Sequence, residues 1–380
     1  MKIMGLISSL ALNFARIQHA LLRVSAYGWK TTLAKLMYRL TYSSRYPRSI
    51  CVESMTVCNL KCSHCRTTLY PAVDPNMAIG FMELAQFNRM VDRLAPLIKR
   101  AENFGFSTNE PLFHKDILAM IDRVISINNR IEISLLSNGL LLTEKRVDEL
   151  LSRKNIISIS VSLDGVNKET VEKFKTGVRF DKVVNNIRTL RKKAPNMVIN
   201  VVFVATRDNY DALESYVDFC ADLGVDAIFV NGFQSFTKEQ ASLYLYSPDG
   251  NDLAMEMFRR AARKAKEHRI GIVFPKLIPE EVGCERHSIM YVKDDGDVSP
   301  CVVLGYPTNL EFLGKFGSAK SVVFGNVFDE DPYQLWNKPE YVHFRSKLAT
   351  PEKFGIPIEC ASCADAYGLV CSGRAPVVLL

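Results

Sequence analysis

The 380-residue sequence has no low-complexity tract and no internal repeat. Its composition argues against a disordered chain, because 48% of the residues are hydrophobic and only 23% are charged. A chain of this length can bury one large core and a smaller attached unit. We therefore expect two globular parts.

Acidic residues are missing from the first fifty positions, which carry eight Lys or Arg and no Asp or Glu. The remainder holds 40 basic and 41 acidic residues, so the formal charge of +7 originates in this segment. Segregated basic charge indicates an anionic partner, which is a membrane surface, a nucleic acid or an acidic protein.

A membrane-spanning run is also missing from this segment, since its apolar stretches break well before the roughly 18 residues that span a bilayer. One helical stripe is present instead, formed by Leu6, Leu10, Phe14, Ile17, Leu21 and Val24. We predict an amphipathic helical extension over residues 1–48, lying on a membrane surface or packed on the protein's own body. A secretory signal is a weaker interpretation, because no small-x-small cleavage site follows. The expected location is cytoplasmic, with peripheral attachment to the membrane face under the first interpretation.

Apolar β-rich runs alternate with helical patterns over residues 49–275. The six predicted strands are 49–57, 101–107, 131–136, 156–163, 197–205 and 226–231. The predicted helices are 80–99, 115–128, one capped by Thr143, 181–193, 209–223 and 252–268. This order predicts an α/β fold, a partial (β/α)6 barrel with its chemistry at the C-terminal ends of the strands. Cys58 directly follows the first strand.

Residues 276–380 differ in character, since they are rich in Gly and Pro and hold five of the ten cysteines. Short strands and one short helix, 332–336, are predicted here. A small domain with little core is usually held by a metal or by disulfides. We therefore predict a separate Cys-rich domain over 276–380.

The stretch CNLKCSHC places Cys58, Cys62 and Cys65 within eight residues. Disulfides are disfavoured, because they would close very small loops. A structural zinc site would need a fourth ligand, and the adjacent His64 is badly placed to be one. Three thiolates can instead hold three irons of a four-iron cubane and leave the fourth iron open.

This cysteine spacing, with a ring residue at His64, resembles the signature of the radical S-adenosylmethionine (radical SAM) superfamily. The resemblance implies that the three cysteines bind a [4Fe-4S] cluster that in turn binds SAM, with His64 at the cofactor. STNEP, 107–111, resembles the family's Gly-Gly-Glu-Pro segment, so Glu110 would contact the methionine amino group. Both glycines of that segment are absent here.

Two later segments, SNG and SLDG, resemble those that line the methionine and ribose of SAM. They imply cofactor contacts for Asn138, Ser162 and Asp164. Taken singly, each segment is also typical of a plain turn after a strand.

The C-terminal cysteines resemble those of the auxiliary-cluster domains called SPASM and, in shortened form, twitch. The matching features are Gly296, the FGNV segment at 324–327 and four cysteines: Cys284, Cys301, Cys360 and Cys363. These four would hold one auxiliary [4Fe-4S] cluster, and a zinc site is the alternative. Cys371 is left over, as a substitute ligand, a free thiol or a hydrogen donor.

The resemblance implies reductive cleavage of SAM to a 5′-deoxyadenosyl radical, which abstracts hydrogen from a peptide, glycan or lipid-linked substrate. A flavodoxin or ferredoxin is the implied reductant, and the auxiliary cluster favours a net oxidation. Val302 follows Cys301 where sulfatase-maturing relatives carry an acid, which weakens that specific interpretation.

Two alternatives stay open. One is redox-neutral epimerisation, with Cys371 or Cys220 as the hydrogen donor, although a buried inert thiol fits Cys220 better. The other is a non-enzymatic metal-binding protein whose basic arm binds nucleic acid, the less favoured of the two.

Overall fold

The computed structural model describes residues 45–74, 77, 79–106 and 109–370, without the side chains of residues 70–72. The strands in this part of the chain are β1 (Ser49–Val52), β2 (Lys61–Cys62), β3 (Asn103–Phe106), β4 (Glu132–Ser137), β5 (Ile156–Ser162), β6 (Lys175–Thr176), β7 (Val198–Ala205), β8 (Ala227–Gly232), β9 (Gly271–Val273), β10 (Ile289–Val292), β11 (Asp297–Ser299), β12 (Thr308–Phe312), β13 (Lys315–Ala319) and β14 (Gly325–Asn326). The predicted extension over 1–48 falls almost entirely outside the described residues.

Ten of these strands form one sheet in the order β14-β11-β10-β1-β3-β4-β5-β7-β8-β9. All neighbours from β10 to β9 run parallel, whereas β11 and β14 are added antiparallel. The six predicted strands are β1, β3, β4, β5, β7 and β8, so the expected parallel α/β fold is confirmed. The sheet stays open, with β14 and β9 at its edges.

Helices follow the parallel strands as the alternating pattern predicts. They are α1 (Arg66–Val73), α2 (Leu84–Ile98), α3 (Ile117–Ile127), α4 (Glu144–Leu151), α5 (Lys168–Phe174), α6 (Phe180–Lys193), α7 (Leu213–Asp222), α8 (Asp252–His268), α9 (Pro332–Trp336), α10 (Pro339–Ala349) and α11 (Pro351–Phe354). Thr143 caps α4 as predicted, with its side chain accepting from the N–H of Arg146.

The two faces of the sheet differ in polarity. On the helix-facing side, Phe104 and Phe106 of β3 pack against Phe87 of α2, with ring centroids 6.4 and 6.0 Å apart. On the opposite side, Ser158 of β5 donates to Ser134 of β4 at 2.8 Å. The apolar core therefore lies between the sheet and the helices, while the opposite face of the open sheet carries serine side chains of β4 and β5.

The Cys-rich region joins this sheet directly. β10 pairs parallel with β1, with Cys51 opposite Tyr291. The prediction of only one short helix after residue 276 was wrong, because α10 spans eleven residues there. Its Tyr341 and Arg345 pack around Trp336, and the Arg345 guanidinium lies 3.6 Å from that indole ring. Among the described residues, no helix has the length and apolarity to cross a bilayer.

Candidate cofactor sites

Cys58, Cys62 and Cys65 lie on the segment that follows the C-terminal end of β1. The backbone N–H of Leu60 donates to the Cys58 sulfur at 3.5 Å. Cys62 belongs to β2, where it is paired with Lys175 of β6. The N–H of Cys65 donates to the Cys62 carbonyl at 3.1 Å, directly before α1. All three thiols thus lie within eight consecutive residues. Every cysteine among the described residues is free of disulfides.

The thiols of Cys58 and Cys62 are buried enough to resist ionisation. Burial raises the pKa of Cys58 to about 11 and that of Cys62 to about 12. The Cys65 sulfur raises both values further, while the positive charge of Lys175 lowers that of Cys62. A thiolate here needs a compensating cation, which a bound metal centre supplies.

His64 lies beside these cysteines between two aromatic rings. The ring centroids of Phe174 and Phe233 are 6.1 and 6.3 Å from the imidazole, both edge-on. Burial lowers the pKa of His64, and its Nδ1 is buried without a hydrogen-bond partner. The neutral ring therefore offers one polar atom to a neighbouring group.

Glu110 is fully buried at the end of the loop that follows β3. One carboxylate oxygen accepts from Ser137 Oγ at 2.9 Å and from the N–H of Leu112 at 3.2 Å. The other oxygen accepts from the N–H of Asn138 at 2.6 Å. Burial raises the pKa of Glu110 to about 7, although these hydrogen bonds lower it. The carboxylate keeps capacity for one more donor, which an amino group can supply.

Asn109 occupies the position before Glu110 where the family segment has a glycine, and its backbone conformation is one that glycine and asparagine both adopt. Asn109 has φ +60°, in the left-handed region that glycine adopts most readily and asparagine tolerates. Its side-chain amide donates to the Met55 carbonyl at 2.7 Å, which fixes this conformation. Residues 107 and 108 lie outside the described part of the chain.

Asn138 joins the loops that leave β1 and β4. Its side-chain amide donates to Asn59 Oδ1 at 2.8 Å, and its own Oδ1 accepts from the N–H of Leu140 at 3.0 Å. Gly139 follows with φ +82°, and a Cβ there would meet Val183 and Val161 at 2.8 and 2.9 Å. The SNG segment is therefore both a tight turn and a contact of the cysteine loop.

Ser162 and Asp164 lie at the end of β5, near Cys62, but their side chains are already engaged. Lys175 donates to Ser162 Oγ at 2.8 Å and pairs with an Asp164 carboxylate oxygen at 2.9 Å. The other Asp164 oxygen accepts from the N–H of Val204 at 2.9 Å. No sequence motif marks Lys175, so it is not among the predicted site residues.

The four predicted auxiliary ligands line one recess. They are Cys284, Cys301, Cys360 and Cys363. Burial raises the pKa of Cys284 and Cys360, and that of Cys363 to about 12. No three Cys, His, Asp or Glu side chains in the described ranges are arranged to hold a single metal ion.

Two charged side chains share this recess. The Cys284 thiol donates to an Asp365 carboxylate oxygen at 3.4 Å. Arg286 is the compensating cation, because the sulfurs of Cys284 and Cys301 and the Asp365 carboxylate all raise its pKa against the opposing effect of burial.

One of the two candidate hydrogen donors, Cys220, lies apart from these sites. Cys220 is fully buried on α7, one turn after Tyr216, whose ring packs 4.7 Å from the helix-facing Phe203. This side of the sheet is opposite the face that carries Ser134 and Ser158. Burial raises the pKa of Cys220 far above its usual value. Cys371 lies outside the described residues.

Two family models match the parts of the chain that carry these cysteines. The Radical SAM superfamily matches residues 52–220, and the SPASM iron-sulfur cluster-binding domain matches residues 284–364. The chain belongs to the radical SAM superfamily. Within it, the SPASM match places the protein in the subfamily that carries auxiliary clusters, as the cysteine pattern predicts.

Curated relatives cover most of the chain at low identity. The tungsten-containing aldehyde ferredoxin oxidoreductase cofactor-modifying protein of Pyrococcus furiosus is 23% identical over 77% of this chain and 82% of its own. The AdoMet-dependent heme synthase of Methanosarcina barkeri is 27% identical over 86% of this chain and 90% of its own.

Streptococcus suis SuiB is a structural neighbour at 16% identity. Its structure bound to S-adenosylmethionine has a TM-score of 0.61 and covers 97% of this chain and 85% of SuiB. Its structure bound to precursor peptide SuiA has a TM-score of 0.60 and covers 92% and 77%. At this identity the likeness shows a shared fold.

As a radical SAM protein, it binds S-adenosylmethionine and a [4Fe-4S] cluster. Its SPASM domain binds auxiliary iron-sulfur clusters. Both sets of side chains fit these groups, because each set consists of thiols free of disulfides and burial raises the pKa of most of them. Cys58, Cys62 and Cys65 stay the predicted ligands of the first cluster, and the four recess thiols stay the predicted ligands of the second.

Proposed function

We propose that this protein reductively cleaves S-adenosylmethionine, abstracts hydrogen from a peptide substrate and completes a net oxidation. The observation that carries this proposal is the convergence of Cys284, Cys301, Cys360 and Cys363 on one recess. That recess belongs to the same compact unit as the cysteine loop after β1. Two redox sites in one unit support a reaction that removes two electrons from the substrate.

The first site would bind and orient the sulfonium cofactor. When bound, its cluster supplies the electron that cleaves SAM to the 5′-deoxyadenosyl radical. Glu110, already oriented by Ser137 and Asn138, would accept a hydrogen bond from the methionine amino group. The neutral His64 would lie against the cofactor with its unpartnered Nδ1.

The second site would accept the electron that the substrate radical gives up, with Cys284, Cys301, Cys360 and Cys363 as ligands. Arg286 would balance the negative charge of these thiolates. A flavodoxin or ferredoxin is the proposed external reductant for the first site.

A peptide is the substrate class we favour, because SuiB shares the fold and was solved with a precursor peptide. The curated relatives have names that refer instead to a metal cofactor and to heme. The basic segment at residues 1–50 supports a substrate or partner at an anionic surface, so glycan and lipid-linked substrates are further outcomes of the test.

The test is anaerobic reconstitution of the full chain followed by iron analysis and a SAM-cleavage assay. We expect roughly eight irons per chain if both clusters contain four, and dithionite-dependent formation of 5′-deoxyadenosine. Cys58→Ala should abolish that product, whereas Cys51→Ala, a thiol not assigned to either site, should keep it. Cleavage that survives Cys58→Ala contradicts the proposal.

Net oxidation is tested on the product. Turnover with a bound peptide should remove two hydrogen atoms per 5′-deoxyadenosine formed, read by mass spectrometry. Deuterium entering the product from D2O with no loss of mass would indicate a redox-neutral reaction instead. If the protein instead holds one zinc and about four irons per chain, the second site contains no iron-sulfur cluster. It could then not accept an electron from the substrate radical.

A further inference from the structure

Charge is distributed unevenly between the two ends of the parallel strands. At one end, the segments that lead from a helix into the next parallel strand carry six Lys or Arg and two Asp or Glu. Both acids are neutralised, because Glu102 pairs with Arg48 and Asp226 pairs with Arg191. We call the surface that these segments form the N-terminal face. The segments are 99–102, 128–131, 152–155, 194–197, 223–226 and 269–270.

Most of the basic side chains of the N-terminal face are available to a partner. Five of the six are exposed and form no ion pair in the part of the chain that the structure describes. Lys192, in the last turn of α6, adds one more exposed charge. The basic segment at residues 1–50 reaches the sheet at this same end, because Arg48 directly precedes β1. The five are Lys99, Arg100, Arg130, Lys154 and Arg269.

The opposite face, where the cysteine loop lies, has the reverse charge. The segments that lead from a parallel strand into the next helix carry four Lys or Arg and eight Asp or Glu. Four of the acids, Asp208, Asp211, Glu239 and Asp249, are exposed. The segments are 53–65, 107–116, 138–143, 163–167, 206–212 and 233–251.

The two faces are far enough apart to act separately. The longest strand between them, β7, has eight residues and therefore spans roughly 26 Å. Exposed charges are screened over about 8 Å at physiological ionic strength. A negatively charged surface thus attracts the N-terminal face, and its field is largely screened at the opposite face.

We propose that the N-terminal face docks on an anionic lipid bilayer and directs the opposite face, with the cysteine loop, toward the aqueous phase. Basic residues close to an anionic bilayer each contribute to binding. Residues 1–50 support a bilayer rather than a nucleic acid as the partner, because their basic side chains accompany an apolar stripe at helical spacing. That combination is typical of helices that lie in a membrane interface.

This orientation selects among the substrate classes of the proposed function, and only this step of the inference rests on that function. In the docked protein, the C-terminal ends of the strands lie roughly 26 Å from the lipid headgroups. A peptide in solution reaches that face. A carbon atom held at the bilayer surface by a lipid anchor does not, so a lipid-linked substrate is not expected.

The test is flotation of the full chain with two kinds of vesicle, pure phosphatidylcholine and a mixture of phosphatidylcholine with phosphatidylglycerol. The wild type should bind the mixed vesicles only, and added salt should weaken this binding. A triple variant with Arg130→Gln, Lys154→Gln and Lys192→Gln should bind them about tenfold more weakly. One basic residue in contact with anionic lipid contributes about fivefold, and a folded surface does not bring all three into full contact.

A second triple variant is the matched control. Lys115→Gln, Lys168→Gln and Lys238→Gln remove the same net charge from exposed positions at the opposite end of the strands. This variant should bind mixed vesicles as the wild type does. Hydrogen exchange of the wild type should slow in 128–131 and 152–155 when mixed vesicles are added, and should stay unchanged in 233–251.

Three results would overturn the inference. Equal weakening in both triple variants would mean that net charge alone governs binding, and no weakening in either would assign binding to the first fifty residues. Tighter binding to a short RNA than to mixed vesicles, lost in the first triple variant, would assign the N-terminal face to nucleic acid. None of these measurements involves SAM, so loss of SAM cleavage would refute the proposed function without affecting the docking result.

Discussion

The side-chain amide of Asn138 donates a 2.8 Å hydrogen bond to the side-chain oxygen of Asn59. These residues lie on the loops that leave β4 and β1, so one bond links the proposed SAM-binding turn to the cysteine loop. The backbone N–H of Asn138 at the same time holds Glu110 at 2.6 Å. Asn59 of the cysteine loop, Asn138 and Glu110 thus form one hydrogen-bonded unit.

Asn138→Ala should loosen the cysteine loop without removing a thiol. Loss of one such bond costs about 1 kcal/mol, so we expect the protein to fold and the first cluster to lose iron to a chelator several-fold faster. SAM affinity should fall as well. Iron release and equilibrium binding of SAM measure the two effects.

Asn128→Ala is a suitable control, because its side-chain amide also donates a 2.8 Å hydrogen bond, in this case to the backbone carbonyl of Ile98 on the helical side of the fold. It should lower stability without changing iron release. Equal iron release from both variants would show that the Asn138–Asn59 bond has no special role.

Gly232 at the end of β8 is in contact with the C-terminal segment that carries the auxiliary ligands. A Cβ at this position would collide with the carbonyl oxygen of Leu369, a backbone atom that cannot move aside without the chain. Gly232→Ala should therefore destabilise the fold by about 1–3 kcal/mol and weaken iron binding at the recess. Gly317→Ala is the matched control, since a Cβ there meets nothing within 4 Å. Unfolding curves and iron counts that match for both variants would contradict this expectation.

Much of this architecture is predictable from the sequence because its signals are local. The six strands were found from apolar runs, and α8 and α9 have the predicted bounds. Thr143 was found from capping chemistry alone. The cysteine loop is visible because its ligands are close in sequence.

The remaining features depend on contacts between distant segments. Nothing in residues 289–292 indicates that they pair with β1, more than two hundred positions away. α10 was missed because its buried side chains include Arg345, which reads as a surface residue until Trp336 lies beneath it. Lys175 also resembles a surface lysine in sequence, since its partners come from β5 and from the turn after it.

The raised pKa of Glu110 makes the stability of the apo-protein depend on pH. Burial moves this pKa from 4.5 to about 7, so between these values the folded state binds more protons than the unfolded state. The contribution of Glu110 to stability therefore falls as pH rises, by up to about 3 kcal/mol. Glu110→Gln cannot ionise and should flatten this part of the curve.

Urea unfolding of the wild type and of Glu110→Gln, at several pH values between 5 and 8, measures how the difference in their free energies of unfolding depends on pH. Glu352→Gln, at an exposed position on α11, should leave the slope unchanged. If the free energy of unfolding of the wild type, relative to that of Glu110→Gln, instead rises with pH, the ionised carboxylate is stabilised rather than destabilised by its surroundings.

The hydroxyl of Tyr306 connects the loop after Cys301 with the end of β1, because it donates to the buried Glu53 carboxylate at 2.6 Å. Tyr306→Phe removes this bond and keeps the ring beneath Lys293, whose Nζ lies 4.7 Å from its centroid. Hydrogen bonds to charged groups contribute about 1.5–3 kcal/mol, so the variant should lose that much stability in urea unfolding. Tyr333→Phe, at a half-buried ring on α9, controls for the loss of a hydroxyl as such. Glu53 lies just before the Cys58 loop, so we also expect iron to leave the first cluster faster in Tyr306→Phe. Unchanged iron release would show that this hydrogen bond stabilises the fold without affecting the cluster.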